Sequence, residues 1–194
     1  MCIRDSMIPF AAGNPAPDAF PVAEVQEIAA DILKNRPIDA LQYGVTEGYP
    51  ELISLIKTRM KSKYGIGRDF DSIIITSGAQ QVMDLSTKVL CNEGDVVICE
   101  SPSFIGSLNC FRSYNAKLVG VPVDADGMNI EALEKALDEN PNAKMIYTIP
   151  NFQNPAGVTM SLEKRHRLYE LAKAHNVMTV SYTHLRAHET EADL

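Results

Sequence analysis

The sequence predicts an α/β fold, with a mostly parallel sheet and helices on both of its faces. From Asp71 onward, short apolar runs alternate with amphipathic stretches, which is typical of successive βα units. The apolar runs carry few charges, as strands that are buried on both faces require. With 194 residues, 45% of them hydrophobic, the chain has enough apolar mass for one sizeable core.

The elements of this α/β part follow in chain order. Strands are predicted over 73–76, 96–99, 118–121, 145–149 and 177–180. Helices are predicted over 79–90, 104–112, 130–138 and 162–173. The first of these helices carries Val82, Leu85 and Val89 on one side. The carboxyl ends of parallel strands share one edge of the sheet, and ligands of such folds bind beyond that edge.

The last predicted helix has recognisable start and stop signals. Ser161 is a candidate N-cap, because a serine hydroxyl can accept a hydrogen bond from the first turn. Leu168, Leu171 and Ala172 recur at helical spacing and are expected to face inward. Asn176 is expected to stop the helix, because asparagine tolerates the left-handed conformation found at helix ends.

The N-terminal stretch has a different character. Residues 9–21 are rich in Pro, Gly, Ala and Asn and are expected to form an extended arm. Residues 22–35 have a helical pattern that ends before Pro37. The predicted organisation is an arm and helix over 7–40, which belong to a small domain, followed by an incomplete α/β domain over 41–180.

Both ends of the chain lack the pattern of the rest. Residues 1–6 (MCIRDS) and 181–194 (SYTHLRAHETEADL) resemble translated sequencing-adapter read-through. They are expected to be non-native tails and are excluded from functional reasoning.

Composition and charge exclude several classes of function. The 18 Lys and Arg against 25 Asp and Glu give a net charge of −7, and the charges are scattered, which disfavours nucleic acid and anionic membranes as partners. The four cysteines show no C-x-x-C spacing, so reduced thiols are expected rather than a zinc site or disulfides. The sequence has no apolar run of membrane-spanning length. A small-molecule partner and a cytoplasmic location are expected.

Three predicted strand ends carry polar or aromatic residues that could contact one ligand. Gly78, Ala79 and Gln80 start a helix directly after a strand, where free N–H groups and the helix dipole suit a phosphate. Phe104 follows the next strand and could stack on a flat ring. Asn154, in QNPAG, could donate to a ring oxygen. Each feature taken alone is ordinary capping, core or turn chemistry. Pyridoxal phosphate is anionic, planar and hydrogen-bonding, and fits all three together.

Five segments in this order resemble a known family over about residues 8–180. They are FAAGNPAPDAFP, LQYGVTEGYPELI, ITSGAQQ, ESPSF and IPNFQNPAGVTMS. The set resembles the fold-type-I pyridoxal-phosphate enzymes, specifically class I/II aminotransferases near the 2-aminoadipate and kynurenine branch. The resemblance implies the large domain of that fold, and transamination between an amino acid and a 2-oxo acid.

The resemblance also assigns roles to residues of this chain. Gly78, Ala79 and Gln80 would hold the phosphate of pyridoxal 5′-phosphate, Phe104 would stack on the pyridine ring, and Asn154 would bond the 3-oxygen. Tyr43 would reach the phosphate of the neighbouring subunit in a homodimer, and Gly13 would line the substrate carboxylate pocket. A tyrosine is commoner in the family at the position of Phe104, so one polar contact is lost here.

Two residues that the family needs have no match in this chain. The Schiff-base lysine and the aspartate beside the pyridine nitrogen would follow the strand over 177–180, where the chain reads SYTHL. No catalytic residue is therefore assigned, and the chain as written is expected to be an inactive fragment that binds the cofactor weakly at best.

Two other functions fit the same resemblance. One is the effector domain of a pyridoxal-phosphate-binding transcriptional regulator, although such regulators usually differ at Asn154 and in the stretch Thr46-Glu47-Gly48-Tyr49. The other is a lyase or decarboxylase of the same fold, since a fold does not fix the reaction.

Overall fold

The computed structural model describes residues 16–182, and these divide into two compact units with the boundary between Ile75 and Thr76. The predicted boundary between domains at residues 40/41 lies elsewhere in the chain, and it stays a prediction.

The first unit is helical. It contains a 3₁₀ turn at Pro17–Ala19 and the helices α1 (Val22–Asn35), α2 (Pro37–Leu41) and α3 (Pro50–Tyr64). The prediction of a helix over 22–35 is confirmed. Pro37 and Pro50 occupy the first helical positions of α2 and α3, where the missing N–H of proline costs nothing. Helix α3 was not predicted. In this unit the described helices contain no buried residue.

The second unit alternates helices and strands. Its elements are α4 (Gly78–Leu90), β1 (Val96–Ser101), α5 (Ile105–Ser113), β2 (Lys117–Asp124), β3 (Gly127–Met128), α6 (Ile130–Glu139), β4 (Ala143–Thr148), α7 (Leu162–Ala174) and β5 (Met178–Ser181). Four of the five predicted strands and all four predicted helices are confirmed, with ends that shift by a few residues. The short strand β3 was not predicted.

The strands form one sheet in the order β3-β2-β1-β4-β5. The pairs β1–β2, β1–β4 and β4–β5 are parallel, and only β2–β3 is antiparallel among the described pairs. The chain leaves β1 for β2 on one side and later returns to β4 on the other side. The loops after β1 and β4 therefore diverge, which creates a crevice at the carboxyl ends of the strands.

The core lies on both faces of the sheet, as predicted. Strand β1 directs Val96 and Ile98 to one face and Val97 and Cys99 to the other. On the first face α6 and α7 supply most of the apolar contacts, through Leu133, Ala136, Leu137, Leu168, Leu171 and Ala172. On the second face α4 and α5 supply Met83, Cys110 and Phe111. The inward positions predicted for α7 are thus confirmed.

The predicted caps of α7 are also confirmed. The Ser161 hydroxyl accepts a hydrogen bond from the backbone N–H of Lys164 at 3.3 Å. Asn176 has a φ of +53°, the left-handed conformation expected of a residue that ends a helix. Both features are local, which explains why the sequence shows them.

One expectation near the boundary between the units needs correction, and in α4 the buried side differs from the side with the apolar pattern. Residues 73–76 are not a strand: Ile75 donates one backbone bond to the Glu47 carbonyl, at 2.8 Å, and Ile74 is 62% exposed. An apolar run has the composition of a strand, but it becomes one only where a neighbour pairs with it. In α4 the buried residues are Met83 and Thr87, whereas Val89, on the side noted from the sequence, is 80% exposed.

Gly127 provides a test of packing in the second unit. A Cβ at this position would lie 2.8 Å from the Met160 Cα, and the glycine has a φ of +110°. Gly94 has a φ of +84° but no atom within 4 Å of the corresponding Cβ position. Both Gly→Ala variants should lose about 1 kcal/mol to backbone strain, and Gly127→Ala should lose about 1–3 kcal/mol more through overpacking. Urea unfolding of the two variants measures the difference, and equal losses would contradict the packing seen here.

Candidate functional site

A pocket of about 120 Å³ lies at the carboxyl edge of the sheet, in the second unit. The residues that line it come from the start of α4, the loops after β1 and β4, the start of α5 and the ends of β4 and β5. They are Ala79, Gln80, Met83, Phe104, Ser107, Tyr147, Ile149, Asn154 and Tyr182. The sheet order places the pocket where a fold of this kind binds ligands.

The first turn of α4 forms one wall. Ala79 and Gln80 belong to this turn, whose backbone N–H groups have no partners within the helix. The turn reads Gly-Ala-Gln-Gln and contains no acidic side chain. Gly78 has a φ of +75°, and the Thr76 hydroxyl donates to its carbonyl at 3.2 Å. The wall therefore presents the positive end of a helix dipole, which suits an anion.

The Phe104 ring forms the aromatic wall and depends on a glycine. Phe104 is 40% exposed, and a Cβ on Gly106 would lie 2.6 Å from the Cε1 atom of its ring. Gln80 donates from Nε2 to the Gly106 carbonyl at 3.2 Å. Gly106 thus lets Phe104 lie against α5 while it anchors a residue of α4. No pattern in the sequence marks this glycine for that role.

Two hydroxyl groups lie at the floor of the pocket. Ser107 donates from Oγ to the Tyr147 hydroxyl at 2.9 Å, and both residues are buried. The Tyr147 ring meets Phe111 edge to face, with the ring centroids 5.3 Å apart. Burial raises the pKa of Tyr147 to about 12, despite the hydrogen bond from Ser107, which lowers it. The phenol is therefore neutral at physiological pH and can donate a hydrogen bond.

Asn154 lies on a loop that Gln153 closes. The Gln153 N–H donates to the Val158 carbonyl at 2.8 Å, and its own carbonyl accepts from Gly157. Its side-chain oxygen accepts from the Ala156 N–H at 2.7 Å. These bonds fold residues 153–158 into a compact loop, with Asn154 on the pocket side.

Arg165 of α7 braces the start of the same segment. Its guanidinium donates to the carbonyls of Pro150 and Met160, at 3.0 and 2.9 Å, and to the Asn151 side chain at 2.6 Å. The Met160 N–H also donates to the Pro150 carbonyl at 2.7 Å. These hydrogen bonds hold the loop after β4 at both of its ends, Pro150 and Met160.

Behind the loop lies a buried carboxylate, Glu100 at the end of β1, which is 2% exposed. It accepts hydrogen bonds from the Thr148 hydroxyl at 2.7 Å, the Ile149 N–H at 3.0 Å and the Gln153 amide at 3.1 Å. Burial raises the pKa of Glu100, and the three hydrogen bonds oppose that shift. Glu100 does not line the pocket, yet it contacts the element that carries Asn154.

The structure brings together four of the predicted site residues. Ala79, Gln80, Phe104 and Asn154 line one pocket, and Gly78 precedes them in the first turn of α4. Tyr43 lies in the first unit with a fully exposed side chain. Gly13 lies outside the described residues. The ligand roles of all these residues stay predictions.

Most residues of the pocket floor were not predicted from the sequence. Tyr147 alternates with Met145 in β4 and with Ile149 directly after it, and that period of two places the three side chains on one face. This signal was available, but the sequence does not tell which face of β4 borders the pocket. Tyr182 also lines the pocket, although it belongs to the segment that was set aside as a tail.

Two general features of the described residues bear on function. Across residues 16–182, the helices are each too short or too polar to cross a membrane. The same residues contain no group of three or more His, Cys, Asp or Glu side chains that could hold a metal ion.

Comparison with known proteins gives a consistent result. Residues 5–181 match the sequence model of the family "Aminotransferase class I and II". The aromatic-amino-acid aminotransferase 1 of Thermococcus litoralis is 40% identical over 178 residues, which are 90% of this chain and 43% of that protein. The chain thus spans less than half the length of the relatives that it matches.

Solved structures of aminotransferases also match this chain. The kynurenine aminotransferase of Pyrococcus horikoshii, solved in complex with PMP, has a TM-score of 0.83 and 38% identity, over 89% of this chain and 44% of that one. The α-aminoadipate aminotransferase LysN of Thermus thermophilus, complexed with N-(5′-phosphopyridoxyl)-L-leucine, has a TM-score of 0.78 and 35% identity, over 89% of this chain and 42% of that one.

A relative of another kind was found by sequence. The HTH-type transcriptional regulator YdcR of Escherichia coli is 32% identical over 90% of this chain and 37% of its own length.

The buried phenol at the pocket floor predicts a pH dependence of stability. The unfolded chain ionises Tyr147 near pH 10, whereas the folded chain keeps it neutral to about pH 12. Stability from this group is therefore complete below pH 10 and is lost as the pH rises toward 12. By pH 11 the loss should reach about 1.4 kcal/mol relative to pH 9.

The Tyr147→Phe variant isolates this contribution. Urea unfolding at the two pH values should show a smaller alkaline loss for the variant, by about that amount. Groups that titrate in the same range are present in both proteins and cancel in the comparison. Equal alkaline losses would mean that the phenol is not held neutral in the fold.

Proposed function

The chain belongs to the class I and II aminotransferase family, and on that premise we propose that its protein transfers an amino group from an amino acid to a 2-oxo acid, with pyridoxal 5′-phosphate as cofactor. One observation carries the proposal beyond family membership: a helix N-terminus, an aromatic ring and a loop amide converge on one pocket at the carboxyl edge of the sheet.

The residues present fit this cofactor. The first turn of α4, with Gly78, Ala79 and Gln80, offers backbone donors and no acidic side chain to a phosphate. Phe104 offers a half-exposed ring face to a pyridine, and Asn154 offers an amide donor to the 3-oxygen. When bound, the cofactor supplies an aldehyde and an electron-accepting ring. In the proposal these protein groups bind and orient it.

The floor of the pocket would exclude water and fix the tilt of the ring. Met83 and Ile149 supply apolar surface there, and both are buried. The neutral Tyr147 phenol, oriented by the hydrogen bond from Ser107, adds a hydrogen-bond donor at the floor.

The substrate is proposed by analogy alone. The relatives are named for aromatic amino acids, kynurenine and α-aminoadipate. We propose an amino donor from this set, with Gly13 lining the pocket for its carboxylate.

Activity should be tested in a protein of the relatives' full length that contains this sequence, because this chain spans about 43% of theirs. Aromatic amino acids, kynurenine and 2-aminoadipate serve as donors and 2-oxoglutarate as the acceptor, with the new 2-oxo acid as readout. Failure of every donor to give product would contradict the proposal.

A transcriptional regulator is the second candidate, and the similarity to YdcR favours it. Asn154 and the stretch Thr46–Tyr49 follow the enzyme pattern in the resemblance, which supports the first candidate. The same activity assay distinguishes the two candidates, since a regulator would bind the cofactor without turnover of any donor.

We further propose a cytoplasmic homodimer in which each subunit completes the site of the other. Tyr43 supports this proposal, because its side chain is fully exposed within its own chain. A tyrosine hydroxyl can donate to a phosphate of a neighbouring subunit.

The loop amide gives a direct test of cofactor binding. Asn154→Ala removes one donor and should weaken the binding of pyridoxine 5′-phosphate about 2- to 10-fold, the worth of one hydrogen bond. This probe retains the phosphate, ring and 3-oxygen but has no aldehyde to react with surface lysines. Equilibrium dialysis measures the dissociation constant. Asn109→Ala, at an exposed position of α5 outside the pocket, is the matched control and should bind as the unchanged chain does.

Subunit complementation tests the shared site. In the full-length protein, Tyr43→Phe is mixed with a variant that lacks the lysine responsible for covalent attachment of the cofactor. Each mixed dimer should contain one site with both residues intact, so activity should return as subunits exchange. No recovery, despite subunit exchange shown by mass, would contradict the shared site.

A further inference from the structure

Glu100 is a buried titratable group that the proposed function does not use. Its carboxylate is 2% exposed and lies at the end of β1, outside the pocket lining. A carboxylate in such a place is costly unless hydrogen bonds satisfy it. Its three donors among the described residues, Thr148, Ile149 and Gln153, come from the end of β4 and the segment after it. The carboxylate thus joins two strand ends that are about fifty positions apart in the chain.

Gln153 transmits this connection to the pocket. Its amide nitrogen donates both to Glu100, at 3.1 Å, and to the Pro102 carbonyl, at 2.8 Å. Its amide oxygen accepts from Ala156 at 2.7 Å, and its backbone closes the loop onto Val158. The side chain is itself 2% exposed, so its polar atoms have these partners in place of water. Asn154 is the next residue, and its position follows from that of Gln153.

We propose that Glu100 is a positioning residue that holds Gln153 and thereby places the Asn154 amide at the pocket. The proposal rests on the proposed function, because the role of Asn154 is to bind the cofactor. Glu100 contacts no ligand itself; it acts through the hydrogen bonds that fix the loop 153–158.

The chemistry of the three donors selects the variants. In Glu100→Gln the amide oxygen can still accept from Ile149 and Gln153, while the amide nitrogen donates to Thr148, whose hydroxyl can accept as well as donate. In Glu100→Leu the Ile149 N–H and the Gln153 amide lose an acceptor in a buried place. Glu100→Gln should therefore keep the loop in place, and Glu100→Leu should release it.

A double-mutant cycle separates positioning from general stability. Binding of pyridoxine 5′-phosphate is measured for Glu100→Leu, Asn154→Ala and the double variant, at temperatures where each is folded. Glu100→Leu should weaken binding about 3- to 10-fold in the unchanged chain and less than 2-fold in the Asn154→Ala background, because the affected contact is already absent. Glu100→Gln should bind within about 2-fold of the unchanged chain. A loss of equal size in both backgrounds would overturn the proposal.

A measurement without ligand keeps this test distinct from that of the proposed function. The Ala156 N–H donates to the Gln153 side chain, so its hydrogen exchange reports whether the loop is held. Exchange at Ala156 should be at least about 10-fold faster in Glu100→Leu than in Glu100→Gln, relative to amides of the core strand β1. Unchanged exchange would overturn the proposal even if the probe binds. Faster exchange with no probe binding to the unchanged chain would contradict the cofactor-binding role proposed for Asn154, and it would still support the role of Glu100 in holding the loop.

If Glu100→Leu does not fold, Gln153→Met replaces it. This variant keeps the side-chain volume and leaves Glu100 its bonds to Thr148 and Ile149. It should give the same loss of affinity and the same dependence on Asn154. Binding equal to that of the unchanged chain would overturn the proposal.

Discussion

The parallel pairing of β1 with both β2 and β4 is the constraint on which the second unit depends. It sends the residues of β1 alternately into the two core clusters, one beneath α6 and α7 and one beneath α4 and α5. It also brings the carboxyl ends of the strands to one edge. Because β2 and β4 lie on opposite sides of β1, the loops after β1 and β4 diverge there, and the pocket forms between them.

This edge is stabilised by polar groups that are buried and paired. Glu100 and Gln153 are each 2% exposed, and hydrogen bonds join them to one another, to the end of β4 and to Pro102. Each such group left without a partner would cost about 1–3 kcal/mol, so the network is stable only when it is complete. Completeness fixes the loop geometry more narrowly than apolar packing would. The hydrogen bonds that satisfy Glu100 and Gln153 therefore also place Asn154, which lines the pocket.

The pocket alone identifies a kind of ligand rather than a reaction. A helix N-terminus, an aromatic ring and an amide suit a phosphorylated heteroaromatic ring, and the chain is similar both to an aminotransferase and to a transcriptional regulator. One fold supports several chemistries, so the family and the pocket together carry the proposal of transamination. The neutral Tyr147 phenol, the Gly106 contact with Phe104 and the Glu100 link are features of this chain's own structure.

The sequence by itself determined the features that depend on interactions between residues close together in the chain. The bounds of α1, the Ser161 cap, the stop at Asn176 and the order of strands and helices follow from local hydrogen bonding and periodicity. Only the tertiary structure decided which apolar run pairs as a strand, so that residues 73–76 do not, and which side of α4 is buried. It also decided the contacts between Ser107 and Tyr147, 40 positions apart, and between Gln153 and Pro102, 51 apart. Such contacts depend on how strands from distant parts of the chain are placed side by side, and no local pattern encodes that placement.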